Sequence, residues 1–125
     1  MKAINITDAF EDAVNILFEC KGRVVTTGIG KAGFMAHKFA STLSSTGTPA
    51  FFVHPAEAGH GDMGMIDGND LIVAFSTSGK STEVIEMLQI AKDLGIHRVV
   101  GITSHTKSPL RELSEIILDL SLIHI

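Results

Sequence analysis

Apolar residues follow two patterns along this chain, and the two patterns alternate. Short, nearly continuous apolar runs predict β-strands buried on both faces, whereas apolar residues recurring every three or four positions predict helices. Strands that alternate with helices form a parallel sheet with right-handed crossovers. The pattern therefore predicts an α/β fold, a three-layer αβα sandwich around a five-stranded parallel sheet. The predicted strands are Val24–Thr27, Ala50–Val53, Leu71–Phe75, Val99–Ile102 and Ile116–Leu120.

Two of the predicted helices have clear boundaries. Before the first strand, apolar residues at positions 10, 13, 14 and 17 predict a helix from Asp8 to Cys20, and Asp8 and Glu11 have capping-box spacing. After the third strand, apolar residues at positions 84, 87, 88 and 91 share one helical face, and Gly95 ends the pattern. We expect the first of these helices to cover one face of the sheet.

A hydroxyl-rich loop joins the third strand to its helix. Four hydroxyl groups occur in the six positions from 76 to 81, at a helix N-terminus whose free N–H groups and dipole favour a phosphate dianion. Capping by Ser81 alone is the alternative, but a cap needs only one hydroxyl. The nucleotide-binding pattern G-x-x-x-x-G-K-[ST] does not occur in the sequence, so we expect a small phosphorylated ligand. The candidate phosphate ligands are Ser76, Thr77, Ser78, Gly79 and Ser81.

The first strand is followed by Gly28–Gly33, which has the spacing G-x-G-x-x-G ahead of a predicted helix. This context is typical of a dinucleotide site, which also requires an acidic residue at the end of the next strand. His54 stands there instead, which favours a tight glycine turn that admits another ligand. Lys31 falls in the first turn of the helix, where the dipole disfavours a cation, so its placement indicates an anionic or carbonyl partner.

The connection from His54 to Asn69 is long for an α/β unit and is rich in titratable groups, among them Glu57, His60 and Asp62. Such residues could ligate a divalent metal, although their spacing matches no strong ligand signature. General acid–base catalysis fits better, because histidine changes charge near neutral pH. His54 precedes a proline and is expected to bond to the backbone at the end of its strand.

Glu83 lies in the first turn of the helix that follows the hydroxyl-rich loop. The helix dipole favours a carboxylate at that position whatever the function. The same position would also place a base beside a carbon chain that is anchored by its phosphate. Both interpretations remain open from the sequence.

Composition narrows the class of protein. The 125 residues are 45% hydrophobic and 19% charged, which is typical of one folded, soluble domain, and no apolar run approaches the length of a membrane span. The net charge of −4 and the absence of Trp and Tyr disfavour a nucleic acid partner. The single cysteine, Cys20, suits a reducing compartment. We therefore expect a cytoplasmic protein that binds neither membrane nor nucleic acid.

Taken together, the motifs resemble the sugar isomerase (SIS) domain family, and within it the arabinose-5-phosphate isomerase group. Residues 76–83 resemble the phosphosugar loop shared across the wider family. Residues 27–33 and 57–66 resemble the glycine-lysine turn and the histidine-bearing loop of the narrower group. With residues 45–55, which resemble the second-strand signature, the resemblance covers most of residues 21–119.

The resemblance implies a flavodoxin-like SIS fold and an aldose-ketose isomerase that interconverts D-ribulose 5-phosphate and D-arabinose 5-phosphate through an enediol. That reaction feeds synthesis of the lipopolysaccharide sugar Kdo. A homodimer or homotetramer is implied, and we expect neither a cofactor nor a bound metal. A non-catalytic phosphosugar-binding regulator and an isomerase of another phosphosugar are the alternatives. The candidate catalytic residues are Lys31, His60 and Glu83, and the candidate substrate-pocket residues are Gly30, His54 and Glu57.

The resemblance also bears on the end of the sequence. Family members continue past the fifth strand, so we expect the SIS domain at residues 1–119 to be truncated at its C-terminus. Residues 120–125 can be back-translated to CTGTCTCTTATACACATC, which resembles a transposase adapter, and we interpret them as a non-native tail. We expect the chain alone to be poorly active, because apolar faces that the missing segment would cover are left exposed.

Overall fold

The computed structural model describes residues 2–59, 61–105 and 107–119, and over residues 2–7 it describes the backbone only. In that part of the chain, five strands form a single sheet, with helices before and between them. The strands are β1 (Val24–Thr27), β2 (Ala50–Phe52), β3 (Leu71–Phe75), β4 (Val99–Thr103) and β5 (Ile116–Asp119). The α-helices are α1 (Lys2–Glu19), α2 (Gly30–Ser45), α3 (Pro55–Ala58), α4 (Thr82–Asp93) and α5 (Pro109–Glu112), and a 3-10 helix spans Asp62–Met65.

Neighbouring strands are parallel throughout the sheet, in the order β2-β1-β3-β4-β5. This arrangement confirms the predicted five-stranded parallel sheet. The order of the strands reverses between β1 and β3, and we call this place the reversal point. Thr27 pairs with Ala74, so the carboxyl ends of β1 and β3 lie side by side there. In open α/β sheets, ligands bind in the crevice beyond such a reversal point.

Helices cover both faces of the sheet, which confirms the predicted three layers. One core lies between the sheet and helices α1 and α2, and a second core lies between the sheet and helices α3, α4 and α5. Val24 of β1 faces the first core, and the adjacent Val25 faces the second. Every residue of β3 is buried, as expected for a central strand covered on both sides.

The structure corrects several predicted boundaries. α1 begins at Lys2 rather than Asp8, so Asp8 is an exposed residue inside the helix and its capping-box spacing does not mark a helix start. Val53 lies just beyond the end of β2. β5 is described as far as Asp119, and the predicted final residue of this strand, Leu120, lies outside the described residues.

The connection between β2 and β3 is not an extended loop, because it contains α3 and the 3-10 helix. His54 caps α3, and Pro55 fills the first helical position, where its missing N–H costs nothing. A helix of one turn is too short to produce a recognisable apolar period, which explains why the hydrophobic pattern did not predict it. No helix in the described part of the chain combines the length and apolar character needed to cross a bilayer.

A buried carboxylate ties the start of β3 to the start of β1. Asp70 is 1% exposed, and its Oδ1 accepts the backbone N–H of Arg23 at 2.7 Å. Its Oδ2 accepts the N–H of Asp67 at 3.0 Å and lies 3.3 Å from the Arg23 guanidinium. That guanidinium also donates to the Met65 carbonyl and lies over the Phe51 ring. The cluster fastens the connection between β2 and β3 at the amino edge of the sheet.

Candidate functional site

The loop between β3 and α4 is closed by its own hydrogen bonds. Ser76 is buried, and its hydroxyl oxygen accepts the N–H of Gly79 at 3.0 Å. The same N–H lies 3.1 Å from the Ser76 carbonyl oxygen, and Gly79 has a φ of +70°, which favours glycine. The Ser78 hydroxyl accepts the N–H of Lys80 at 3.1 Å. These bonds shape a compact turn directly ahead of α4.

Ser81 occupies the N-cap position of α4 but does not cap it. Its side chain makes no cap hydrogen bond, and its hydroxyl lies 3.1 Å from the Ser76 hydroxyl instead. The alternative interpretation of Ser81 as a plain capping residue is therefore wrong. The first N–H groups of a helix have no partner within the helix, so the start of α4 offers donors and the positive end of a dipole to an anion.

The glycines between β1 and α2 are explained by close backbone packing. A Cβ on Gly28 would come within 2.9 Å of the Phe75 carbonyl oxygen, and one on Gly33 would come within 2.9 Å of the Gly28 carbonyl oxygen. Gly30 adopts a φ of +60° and faces open space. The G-x-G-x-x-G spacing thus lets α2 approach β1 and β3 closely, and a dinucleotide is not needed to explain it.

Lys31 is exposed in the first turn of α2. Because α2 follows β1 and α4 follows β3, both helices begin at the carboxyl ends of neighbouring strands, on opposite faces of the sheet. The two helix N-termini therefore flank the reversal point. The fold brings the lysine turn and the hydroxyl-rich loop to the same edge of the sheet.

His54 bonds to the backbone at the end of β2, as predicted. Its Nδ1 accepts the N–H of Ala56 at 3.1 Å, which leaves Nε2 as the nitrogen that carries the proton in the neutral ring. The ring also lies edge-on to Phe52, with the ring centroids 6.4 Å apart. Glu57 is exposed in α3, one residue beyond Ala56.

A cleft of about 180 Å³ separates α3 from α4. Glu83, in the first turn of α4, lines this cleft together with Pro55 and Gly59. Glu83 is therefore close to the segment that leads into His60, which itself lies outside the described residues. Among the described residues, no three His, Cys, Asp or Glu side chains are grouped as a metal site would require.

Two buried hydroxyls at this edge were not among the candidate site residues. Within the described part of the chain, Oγ1 of Thr27 and Oγ of Ser108 have no hydrogen-bond partner. Thr27 ends β1, directly before the glycine turn, and that position was a usable signal. Ser108 lies against the hydroxyl-rich loop, since a Cβ on Gly79 would meet its Oγ at 2.1 Å. No sequence pattern indicates that second contact, because tertiary packing creates it.

The fold and the site define an α/β domain that presents a hydroxyl-rich loop at the reversal point of a parallel sheet. Residues 16–122 match the model of the SIS domain family. Because this match spans most of the chain, the protein belongs to the SIS domain family, as the sequence motifs indicated.

Relatives with assigned names are similar over nearly the whole chain. Arabinose 5-phosphate isomerase KdsD of Pseudomonas aeruginosa is 49% identical over 116 residues, which are 93% of this chain and 35% of the relative. Arabinose 5-phosphate isomerase GutQ of Escherichia coli is 46% identical over 114 residues, which are 91% of this chain and 35% of the relative. The chain thus spans about a third of the length of these relatives.

Solved structures with the same fold include two bacterial proteins. A candidate phosphosugar isomerase involved in capsule formation from Bacteroides fragilis superimposes with a TM-score of 0.86 at 43% identity, covering 90% of this chain and 61% of that one. An Escherichia coli protein in complex with arabinose 5-phosphate superimposes with a TM-score of 0.85 at 37% identity, covering 90% of this chain and 59% of that one.

Proposed function

We propose that this chain is the SIS portion of an aldose-ketose isomerase that interconverts D-ribulose 5-phosphate and D-arabinose 5-phosphate. The observation that carries the proposal is the loop before α4, where the Ser76 and Ser81 hydroxyls lie 3.1 Å apart at a helix N-terminus beside the reversal point. The names of the relatives at 49% and 46% identity support the particular reaction.

The phosphate group would be held at the start of α4 by the hydroxyl-rich loop of residues 76–81, which we call the phosphate loop. The hydroxyls of the loop supply neutral donors, and the N–H groups of the first turn add the positive end of the helix dipole. A dianion bound there leaves the sugar carbons free to extend toward Lys31 and Glu83. The proposed phosphate ligands are Ser76, Thr77, Ser78, Gly79 and Ser81.

Isomerisation then needs only proton transfers. The Glu83 carboxylate would remove a proton from C1 of ribulose 5-phosphate, and the electron pair of that C–H bond would form the C1=C2 bond of an enediolate. The Lys31 ammonium would stabilise the negative oxygen on C2. Return of the proton to C2, with transfer of the hydroxyl proton from O1 to O2, gives the aldose. We propose His60 as the shuttle between the two oxygens or as the catalyst of ring opening.

The remaining assignments follow from the same proposal. Gly30, the first residue of α2, His54, the N-cap of α3, and Glu57, within α3, would line the substrate pocket. The reaction moves no electrons to or from an external group, so we propose no cofactor. We further propose a cytoplasmic homodimer or homotetramer, with residues 1–119 as SIS domain and residues 120–125 as a non-native tail.

Turnover of ribulose 5-phosphate to arabinose 5-phosphate tests this proposal. The rate should be measured for the 125-residue chain and for the complete gene product, alongside the affinity of each for arabinose 5-phosphate. Turnover by the complete gene product supports the isomerase. If both proteins bind arabinose 5-phosphate and neither turns over ribulose 5-phosphate, the isomerase proposal would be replaced by that of a phosphosugar-binding regulator.

Substituting Ser76 with alanine should weaken binding of arabinose 5-phosphate by about 10-fold, the usual scale for a hydrogen bond to a charged group. The substitution removes both a ligand donor and the acceptor of the Gly79 N–H. Isothermal titration calorimetry measures the change. Ser44→Ala is a matched control, because the Ser44 hydroxyl donates to the Ala50 carbonyl at 2.8 Å, near the end of α2 away from the phosphate loop. Equal affinity in the two variants would argue against phosphate binding at Ser76.

A further inference from the structure

The end of β4 and the loop that follows it are hydrogen-bonded to the phosphate loop. Thr103, the last residue of β4, is fully buried, and its hydroxyl donates to the Thr77 carbonyl at 3.1 Å. The N–H of Ser104 donates to the same carbonyl at 3.0 Å. The Thr103 hydroxyl oxygen in turn accepts the N–H of His105 at 3.1 Å. One side chain therefore joins the backbone of two loops.

A second connection between the two loops is made at Gly79. The N–H of Leu110 donates to the Gly79 carbonyl at 3.2 Å. The space beside the Gly79 Cα is already filled, because a Cβ there would lie 2.1 Å from Ser108 Oγ and 3.1 Å from Thr103 Oγ1. The phosphate loop is thus packed tightly against the end of β4 and the start of α5, and it has little room to shift on that side.

The hydrogen bonds to the Thr77 carbonyl fix the direction in which the Ser78 N–H points. The Thr77 C=O and the Ser78 N–H belong to one planar trans peptide unit, in which the two groups point in opposite directions. Two hydrogen bonds hold the carbonyl toward β4, so the Ser78 N–H is turned away from β4. A backbone donor is thereby fixed in the loop that would hold the phosphate.

We propose that Thr103 is a positioning residue for the phosphate loop, acting through the Thr77 carbonyl to fix the orientation of the peptide between Thr77 and Ser78. The inference rests on the proposed function, since it assumes that this loop binds the phosphate of a sugar phosphate. Thr103 itself is buried and does not contact the ligand. Its hydroxyl sets the affinity of the site for a phosphoryl group and leaves the proton-transfer step unchanged.

Thr103→Val tests the proposal, because valine keeps the shape of the side chain and removes only the hydroxyl. The expected result is an approximately fivefold weaker affinity for inorganic phosphate and for arabinose 5-phosphate, the scale of one hydrogen bond. In the complete gene product, KM should rise by a similar factor while kcat stays the same. Thr103→Ser, which restores the hydroxyl, should recover most of the lost affinity.

Thr26→Val is the matched control. Thr26 is also a fully buried strand threonine, and its hydroxyl donates to the Ala36 carbonyl at 2.8 Å, away from the phosphate loop. Thr103→Val should cost more stability than Thr26→Val, because the Thr103 hydroxyl also accepts the His105 N–H, but only Thr103→Val should weaken phosphate binding. If both variants bind phosphate as the unmodified chain does, the positioning role is overturned while the proposed function stands.

Amide hydrogen exchange keeps the test independent of the ligand. Gly79 donates its N–H within the loop, so its exchange rate reports opening of the loop. We expect faster exchange at Gly79 in Thr103→Val than in Thr26→Val. Equal exchange rates would overturn the positioning role whether or not phosphate binds. Faster exchange in a chain that binds no phosphosugar would show that the Thr103 hydroxyl holds the loop closed, and it would refute the proposed function.

Discussion

Substituting Glu83 with glutamine is expected to lower kcat for the interconversion of ribulose 5-phosphate and arabinose 5-phosphate by about 10³-fold, within the range for loss of a general base. Glutamine has nearly the same size but cannot accept the proton from C1. Affinity for arabinose 5-phosphate should change little, because the proposed phosphate ligands lie in the loop before α4 and Glu83 is not among them. Steady-state kinetics on the complete gene product, with calorimetry for binding, separates the two effects.

Glu86 is the alternative candidate for the general base. It lies one turn further along α4 and lines the same cleft between α3 and α4, so Glu86→Gln removes a carboxylate from nearly the same place. We expect that variant to keep kcat close to that of the unmodified protein, because Glu86 lies one helical turn further than Glu83 from the start of α4. A loss of kcat in Glu86→Gln alone would transfer the role of base from Glu83 to Glu86.

The central strands β1, β3 and β4 were predictable because they are buried on both faces. β3 is a continuous apolar run, and no exposed face interrupts it with polar residues. The abrupt change from Phe75 to Ser76 marked the carboxyl end of the strand, and the helical period after Ser81 marked α4. The position of the phosphate loop at a helix N-terminus followed from those two signals alone.

Features that depend on how the loops fold in three dimensions were not predictable. Ser81 has the sequence context of a cap, yet its hydroxyl lies beside Ser76, because the loop closes in three dimensions. Thr103 directly follows the predicted strand Val99–Ile102, but its bond to Thr77 joins residues that are 26 positions apart. The pairing of strands that brings these loops together is set by the whole sheet, and local patterns do not encode it.

The largest expected effect on stability is at Asp70. Substitution with alanine should lower the free energy of unfolding by about 3 kcal/mol, because two backbone N–H groups, of Arg23 and Asp67, would lose their acceptor. The ion pair contributes less, since the Arg23 side chain is 45% exposed and its charge is screened by water. Urea denaturation followed by circular dichroism gives the change.

Arg23→Met separates the contribution of the Arg23–Asp70 ion pair from that of the backbone N–H groups that donate to Asp70. It removes the guanidinium but keeps the backbone N–H that donates to Asp70, so it should cost about 1 kcal/mol or less. Asp70→Ala should remain costly in the Arg23→Met background, because the buried N–H groups still lose their acceptor. Asp12→Ala, on the exposed face of α1, serves as the control and should change stability by less than about 0.5 kcal/mol. If Asp70→Ala cost no more than Arg23→Met, the ion pair rather than the hydrogen bonds from the backbone N–H groups would be the main stabilising interaction of Asp70.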